Sequence, residues 1–118
     1  MKKSYTLIPP DVMAAIPPMT AIDDSPLKEK TVAVKLMCSG LTWYITNGSY
    51  DEERNDYIMF GYVVNESEPL FSEWGPIPLG ELEAMTAEAQ VKSGRFLGTV
   101  VERDLHFAPV PIRELVDI

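Results

Sequence analysis

The chain has 118 residues, 46% hydrophobic and 24% charged, which matches one globular domain spanning 1–118, able to bury roughly two-thirds of its unfolded surface in a single core. Its longest apolar run falls far short of the roughly 20 residues that cross a bilayer, so a membrane partner is not expected. The formal net charge of −8 repels phosphate backbones and attracts cations or basic proteins, which argues against direct binding to nucleic acid.

The opening MKKSYTLIPP has two lysines and no apolar stretch of the kind a secretory signal carries, and a single cysteine, Cys38, leaves no internal disulfide. A reducing cytoplasm is the expected compartment. Pro-Pro pairs at Pro9-Pro10 and Pro17-Pro18 predict a short helix over Pro10 to Ala15, with Val12, Ala15 and Ile16 inward. Thr20 to Lys30, with Asp23-Asp24-Ser25-Pro26, reads as a surface connection.

Thr31 to Val64 predicts an antiparallel meander around which the rest is organised. Val32, Val34, Leu36 and Cys38 alternate with more polar neighbours, the period of two of a strand with one apolar face. Ser39-Gly40 is a two-residue hairpin signal. The returning run sets Leu41, Trp43 and Ile45 on a core face and Thr42, Tyr44 and Thr46 on a wetter one. Asn47 to Asp56 is polar and rich in turn formers, either a long hairpin tip or a loop. Tyr57 to Val64 is apolar on both sides and predicts a central strand, with Gly61 marking a bulge or a close approach.

Leu70 to Trp74 predicts a fourth strand, after which Gly75-Pro76-Ile77-Pro78 is expected to break the sheet. Leu79, Leu82, Met85 and Ala89 recur at helical spacing, predicting an amphipathic helix from Leu79 to Val91 that ends at Lys92-Ser93-Gly94. Phe96 to Val101 and Leu105 to Phe107 predict a further strand region, and Ile112 to Val116 a terminal helical turn with Ile112, Leu115 and Val116 as its apolar side. The fold class is α+β: an antiparallel sheet of about five strands, one main helix packed on a face and short terminal helices.

The order of Leu7-Ile8-Pro9, Val34-Lys35-Leu36, Trp43-Tyr44-Ile45, Phe60-Gly61-Tyr62-Val63, Leu79-Gly80-Glu81-Leu82-Glu83 and Val101-Glu102-Arg103-Asp104-Leu105-His106-Phe107 resembles an uncharacterised bacterial family catalogued as domain of unknown function 2958. The resemblance spans nearly the whole chain. It implies a fold and a genomic setting on plasmids, conjugative elements and phages, and it carries no established reaction.

The charge is concentrated. Between Asn47 and Gln90 ten acids face one base, Arg54, a net −9, leaving +1 for the remainder. Asp51, Glu52, Glu53 and Asp56, with Glu81 and Glu83 at the start of the helix, are the candidate partner-binding residues. Because these loop charges are not expected to serve packing, their reversal to lysine is expected to leave the fold nearly as stable. A rival constellation is Glu102, Asp104 and His106, which strand alternation would place on one face for metal binding or acid-base work. The plainer reading of those residues is an Arg103 ion pair and a turn, and no other histidine or cysteine lies at zinc-site spacing. Trp43, Tyr44, Tyr57, Phe60 and Tyr62 could stack on bases only beside a positive groove, and their neighbourhood is acidic. The expected function is that of a small acidic non-enzymatic protein, without cofactor or metal, which the resemblance implies is an accessory of a mobile element. It is expected to bind a protein with a basic surface, in its sharpest form as a nucleic-acid mimic that inhibits host defence; the plainer reading of the charge is that it only keeps a small domain soluble. The alternative is an enzyme using the Glu102, Asp104 and His106 face.

Overall fold

The computed structural model describes residues 7–20, 26–38, 40–85 and 101–116. Five strands form an antiparallel sheet in the order β5-β4-β3-β2-β6, from β2 (Val34–Cys38), β3 (Leu41–Asp51), β4 (Asp56–Asn65), β5 (Glu73–Pro78) and β6 (Glu102–Arg103). A second, two-stranded sheet pairs β1 (Thr31–Val32) with β7 (Val110–Pro111). Helix α1 covers Pro10–Ala14, the main helix α2 is described over residues 79–85, and short 3-10 turns complete the α+β fold. The expected continuation of α2 to Val91, its stop at Lys92-Ser93-Gly94, the strand from 96 to 100 and the connection at 23–25 lie outside the described residues.

The expected hairpin forms: Cys38 pairs with Leu41 across the turn, and Gly40 takes the φ of 84° that such a turn demands. The run from Thr31 to Cys38 is not one strand. It breaks at Ala33, whose N–H bonds the Ile45 carbonyl at 2.8 Å, and the break sends Val32 to the opposite side of the sheet from Val34, Leu36 and Cys38. One face of the sheet buries Val34, Leu36, Trp43, Ile45, Tyr57 and Met59 beneath Leu7, Ile8, Ile16, Leu79, Leu82 and Val101. Within α1 and its end, Val12 and Met13 are partly buried and Ile16 is buried, whereas Ala15, expected inward, is exposed.

The second face is drier than alternation predicts. Thr42, Tyr44 and Thr46 are all buried. Tyr44 packs with Val32 and Ile112, and Leu115 and Val116 close over that cluster, so the C-terminal turn covers what strand patterning assigned to solvent. Beside it Phe60 stacks on Trp74 at 5.8 Å and Tyr62 meets the same ring at 5.3 Å, ordinary aromatic packing distances.

The long polar stretch after Thr46 is a ribbon rather than a loop: β3 runs on to Asp51, and β4 begins at Asp56. Between Ile45 and Asn47 the register slips by one residue at Thr46, a β-bulge that exchanges the faces of the strand. Beyond it Gly48 and Tyr50, rather than odd-numbered residues, lie opposite Met59 and Tyr57. Gly61 sits beside this bulge, and a Cβ there would fall 2.0 Å from the Tyr44 carbonyl oxygen.

Gly75-Pro76-Ile77-Pro78 does not break the sheet; it is most of the edge strand β5, in register with Ile58 to Gly61. Pro76 and Pro78 lie two apart, so their nitrogens point to the same side of the strand, and lacking N–H groups they must point outward. Prolines are tolerated in a sheet only at such an edge, and here they remove two donors that a further strand would need.

Candidate functional site

The ribbon turns through Glu52 to Asn55, and Asn55 adopts the left-handed φ of 53° that asparagine tolerates better than most residues. The Tyr50 hydroxyl donates to Asn55 Oδ1. Asp51 Oδ1 accepts the backbone N–H groups of Glu53 at 3.0 Å and Arg54 at 3.3 Å, and Asp51 Oδ2 lies 3.6 Å from Arg54 Nε. These contacts give the tip a defined shape. Glu52 and Glu53 project from it, exposed.

The six candidate acids divide into two kinds. Asp51 braces the turn. Asp56, half-buried, accepts the Tyr57 N–H at 2.7 Å and the Gly80 N–H at 3.0 Å on Oδ1, so it caps the first turn of α2 from another element, filling the role of a helix N-cap. The expectation that all four loop acids are dispensable to the fold is corrected for these two: their oxygens satisfy backbone donors. The Asp56 to Gly80 contact sets the first turn of α2, with exposed Glu81 and half-buried Glu83 following it, beside Asp56 at the start of β4, while Glu52 and Glu53 lie exposed on the turn itself. Asp56→Ala is expected to lower stability by about 1–2 kcal/mol, the effect of losing a cap, and Asp56→Asn, which keeps an acceptor, by less; urea titration followed by circular dichroism measures both.

Beside the tip runs an open groove of about 600 Å³, lined by the apolar Met19, Ile58 and Pro76, by Tyr50, and by the charged Asp51, Glu52, Glu53 and Arg54. Met19 is tied to the ribbon through its N–H, which donates to Ser49 Oγ at 2.8 Å, while Asn47 Nδ2 donates to the Pro18 carbonyl at 3.0 Å. Met19, from the segment after α1, thus joins the ribbon and β5 in lining the groove.

The second constellation is arranged differently from the sequence expectation. Strand β6 ends at Arg103, and Leu105 and His106 form a turn, so alternation does not carry Glu102, Asp104 and His106 along one face. Asp104 Oδ1 accepts the His106 backbone N–H at 3.0 Å, its own N–H bonds the Lys35 carbonyl, and its carboxylate lies 3.9 Å from Lys35 Nζ. Arg103 reaches across to the Leu7 carbonyl through Nε at 3.2 Å, tying the N-terminal segment to the sheet edge. Among the described residues no group of three or more His, Cys, Asp or Glu is placed to hold a metal ion.

Cys38 is buried; burial pushes its thiol up from the ordinary range and Glu102 adds to the shift, so it holds its proton and is a poor nucleophile. Of the five rings considered for base stacking, Trp43, Tyr44 and Tyr57 are buried in the core, and Phe60 and Tyr62 are half-buried around Trp74. No helix among the described residues is long and apolar enough to cross a membrane. In comparisons with protein-family models, curated proteins and solved structures, nothing matches the chain.

Proposed function

We propose that this chain is a non-enzymatic protein-binding module whose acidic hairpin tip engages a basic surface on another protein. The observation that carries the reading is the division of labour at the tip: Asp51 and Asp56 hold the ribbon and α2 in place, while Glu52 and Glu53 stand exposed on a shaped turn. A tip whose backbone is already held by Asp51 has less chain to order on binding, and electrostatic complementarity sets the rate and selectivity of encounter. In its sharpest form the reading is mimicry of nucleic acid, with carboxylates occupying phosphate sites in a basic cleft. The resemblance to domain of unknown function 2958 supplies the setting, an accessory protein of a mobile element acting on a host factor.

The test reverses Glu52→Lys and Glu53→Lys and leaves Asp51 and Asp56 intact. The double variant is expected to melt with the parent, since exposed substitutions usually change stability by no more than about 0.5 kcal/mol. Binding of the basic partner, followed by calorimetry, is expected to be lost in the variant. For the parent it is expected to weaken steeply with salt, because exposed charges are screened beyond about 10 Å at 0.1 M. A partner held equally by parent and variant at every salt concentration refutes the reading.

A further inference from the structure

We propose that the turn Pro69–Phe71, at the other end of β4, is an apolar anchor that docks into a hydrophobic pocket of a protein partner whose rim carries lysine or arginine. Leu70 is 97% exposed and Phe71 69% exposed, two adjacent large apolar side chains left in water, where such residues are unfavourable unless something covers them. They were expected at the start of a strand; instead they form a 3-10 turn ahead of it.

The turn is firmly built. Asn65 Oδ1 accepts the N–H groups of Ser67 and Glu68 at 3.1 Å each, and Ser72 Oγ accepts the Asn65 N–H at 3.0 Å. The Phe71 N–H bonds the Glu68 carbonyl and the Glu66 N–H bonds the Gly40 carbonyl, both at 2.9 Å, which fastens the turn to the β2–β3 hairpin. Ordering costs oppose association, and here the backbone that presents Leu70 and Phe71 is already ordered.

The flanking charge identifies the occupant. Glu66, Glu68 and Glu73 are exposed around the two apolar residues, and no lysine or arginine occurs between Arg54 and Lys92. An anionic membrane surface and a nucleic acid are both repelled by such a rim. A second copy of the chain brings the same acids and the same net charge of −8, which opposes self-association. A protein pocket with an apolar floor and basic rim satisfies the apolar pair and the glutamates together. The ten residues of β4, at about 3.4 Å each, separate this turn from the acidic hairpin tip by about 30 Å, so the two surfaces can be tested apart.

The experiment places a photo-crosslinking phenylalanine analogue at position 71 of the full chain in cells that naturally express it, and maps the adduct. The crosslinked protein is then purified and its Kd measured for the parent, for Leu70→Ser with Phe71→Ser, and for Glu66→Gln with Glu68→Gln and Glu73→Gln. The expected adduct lies on a protein, at an apolar pocket bordered by lysine or arginine. The serine pair is expected to raise Kd roughly thirtyfold or more, as loss of a binding hot spot does, and the glutamine set to flatten the salt dependence; both melt with the parent.

Absence of an adduct, adducts confined to lipid, nucleic acid or a second copy, an adduct pocket without a basic rim, or an unchanged Kd for the serine pair overturns the proposal. So does a large drop in melting temperature for that pair, which would place Leu70 and Phe71 in the packing of their own fold. Glu52→Lys with Glu53→Lys, measured against the same partner, separates the two surfaces: a loss confined to that variant overturns the anchor and leaves the hairpin reading intact, and a loss confined to the serine pair does the opposite.

Discussion

Gly61→Ala is expected to destabilise the protein by about 3 kcal/mol or more, the upper range for forcing extra atoms into a packed interior. The added Cβ would lie 2.0 Å from the Tyr44 carbonyl oxygen and 3.0 Å from Ile45 Cα. Both are backbone atoms of the neighbouring strand, so no rotamer change relieves the contact. The bulge at Thr46 is held by the same crossing, since Thr46 Oγ1 donates to the Phe60 carbonyl at 3.2 Å. Relief therefore requires the central strands to separate or the bulge to be lost, and loss of the bulge slips the register by one residue and exchanges the faces of the ribbon beyond it. Urea unfolding of the purified variant measures the loss. A midpoint equal to that of the parent contradicts the β3–β4 register.

Trp43→Ala is expected to lower stability by about 3–5 kcal/mol, the usual range for deleting a large buried ring. Trp43 is 6% exposed, opposite Leu36 on one side and Val63 on the other, and belongs to the larger core cluster. Against a typical total stability of roughly 5–15 kcal/mol, that loss leaves little margin, and a variant that melts within a few degrees of the parent contradicts the assignment of faces. Trp74, half-buried on the other face among Phe60 and Tyr62, gives the internal contrast: truncating it removes less buried area and is expected to cost less.

The strand patterns of Val34 to Cys38, Leu41 to Thr46 and Tyr57 to Val64, the turn at Gly40 and the amphipathic start of α2 were legible because each rests on a local period or a local backbone requirement. The same logic failed at Gly75-Pro76-Ile77-Pro78, where local rules say that proline ends a strand; only the position of β5 at the sheet edge makes its missing donors harmless. At Asn47 to Asp56 local rules left a long hairpin tip and a loop both open, and the pairing of Asn47 to Asp51 with Phe60 to Asp56 beyond a bulge decides for the hairpin. At the candidate site, clustering of acids was visible in the sequence, but their roles were not. Asp56 becomes a cap through the Gly80 N–H that α2 brings to it, and Leu70 and Phe71 carry no periodic signal that distinguishes an exposed turn from a strand.

By itself, then, the sequence determined the α+β class, the alternating core face that holds Leu36, Trp43 and Ile45, and the acidic charge map, because alternation, turn chemistry and charge are properties of neighbours along the chain. The tertiary structure alone decided that Tyr44 is buried by Ile112, that Val32 and Val34 face opposite sides, that β6 ends before His106, and that Asp56 caps α2 through the Gly80 N–H. Each of these depends on a contact between residues distant in sequence, where satisfaction of buried polar groups and coverage of apolar surface are settled by whichever segment arrives.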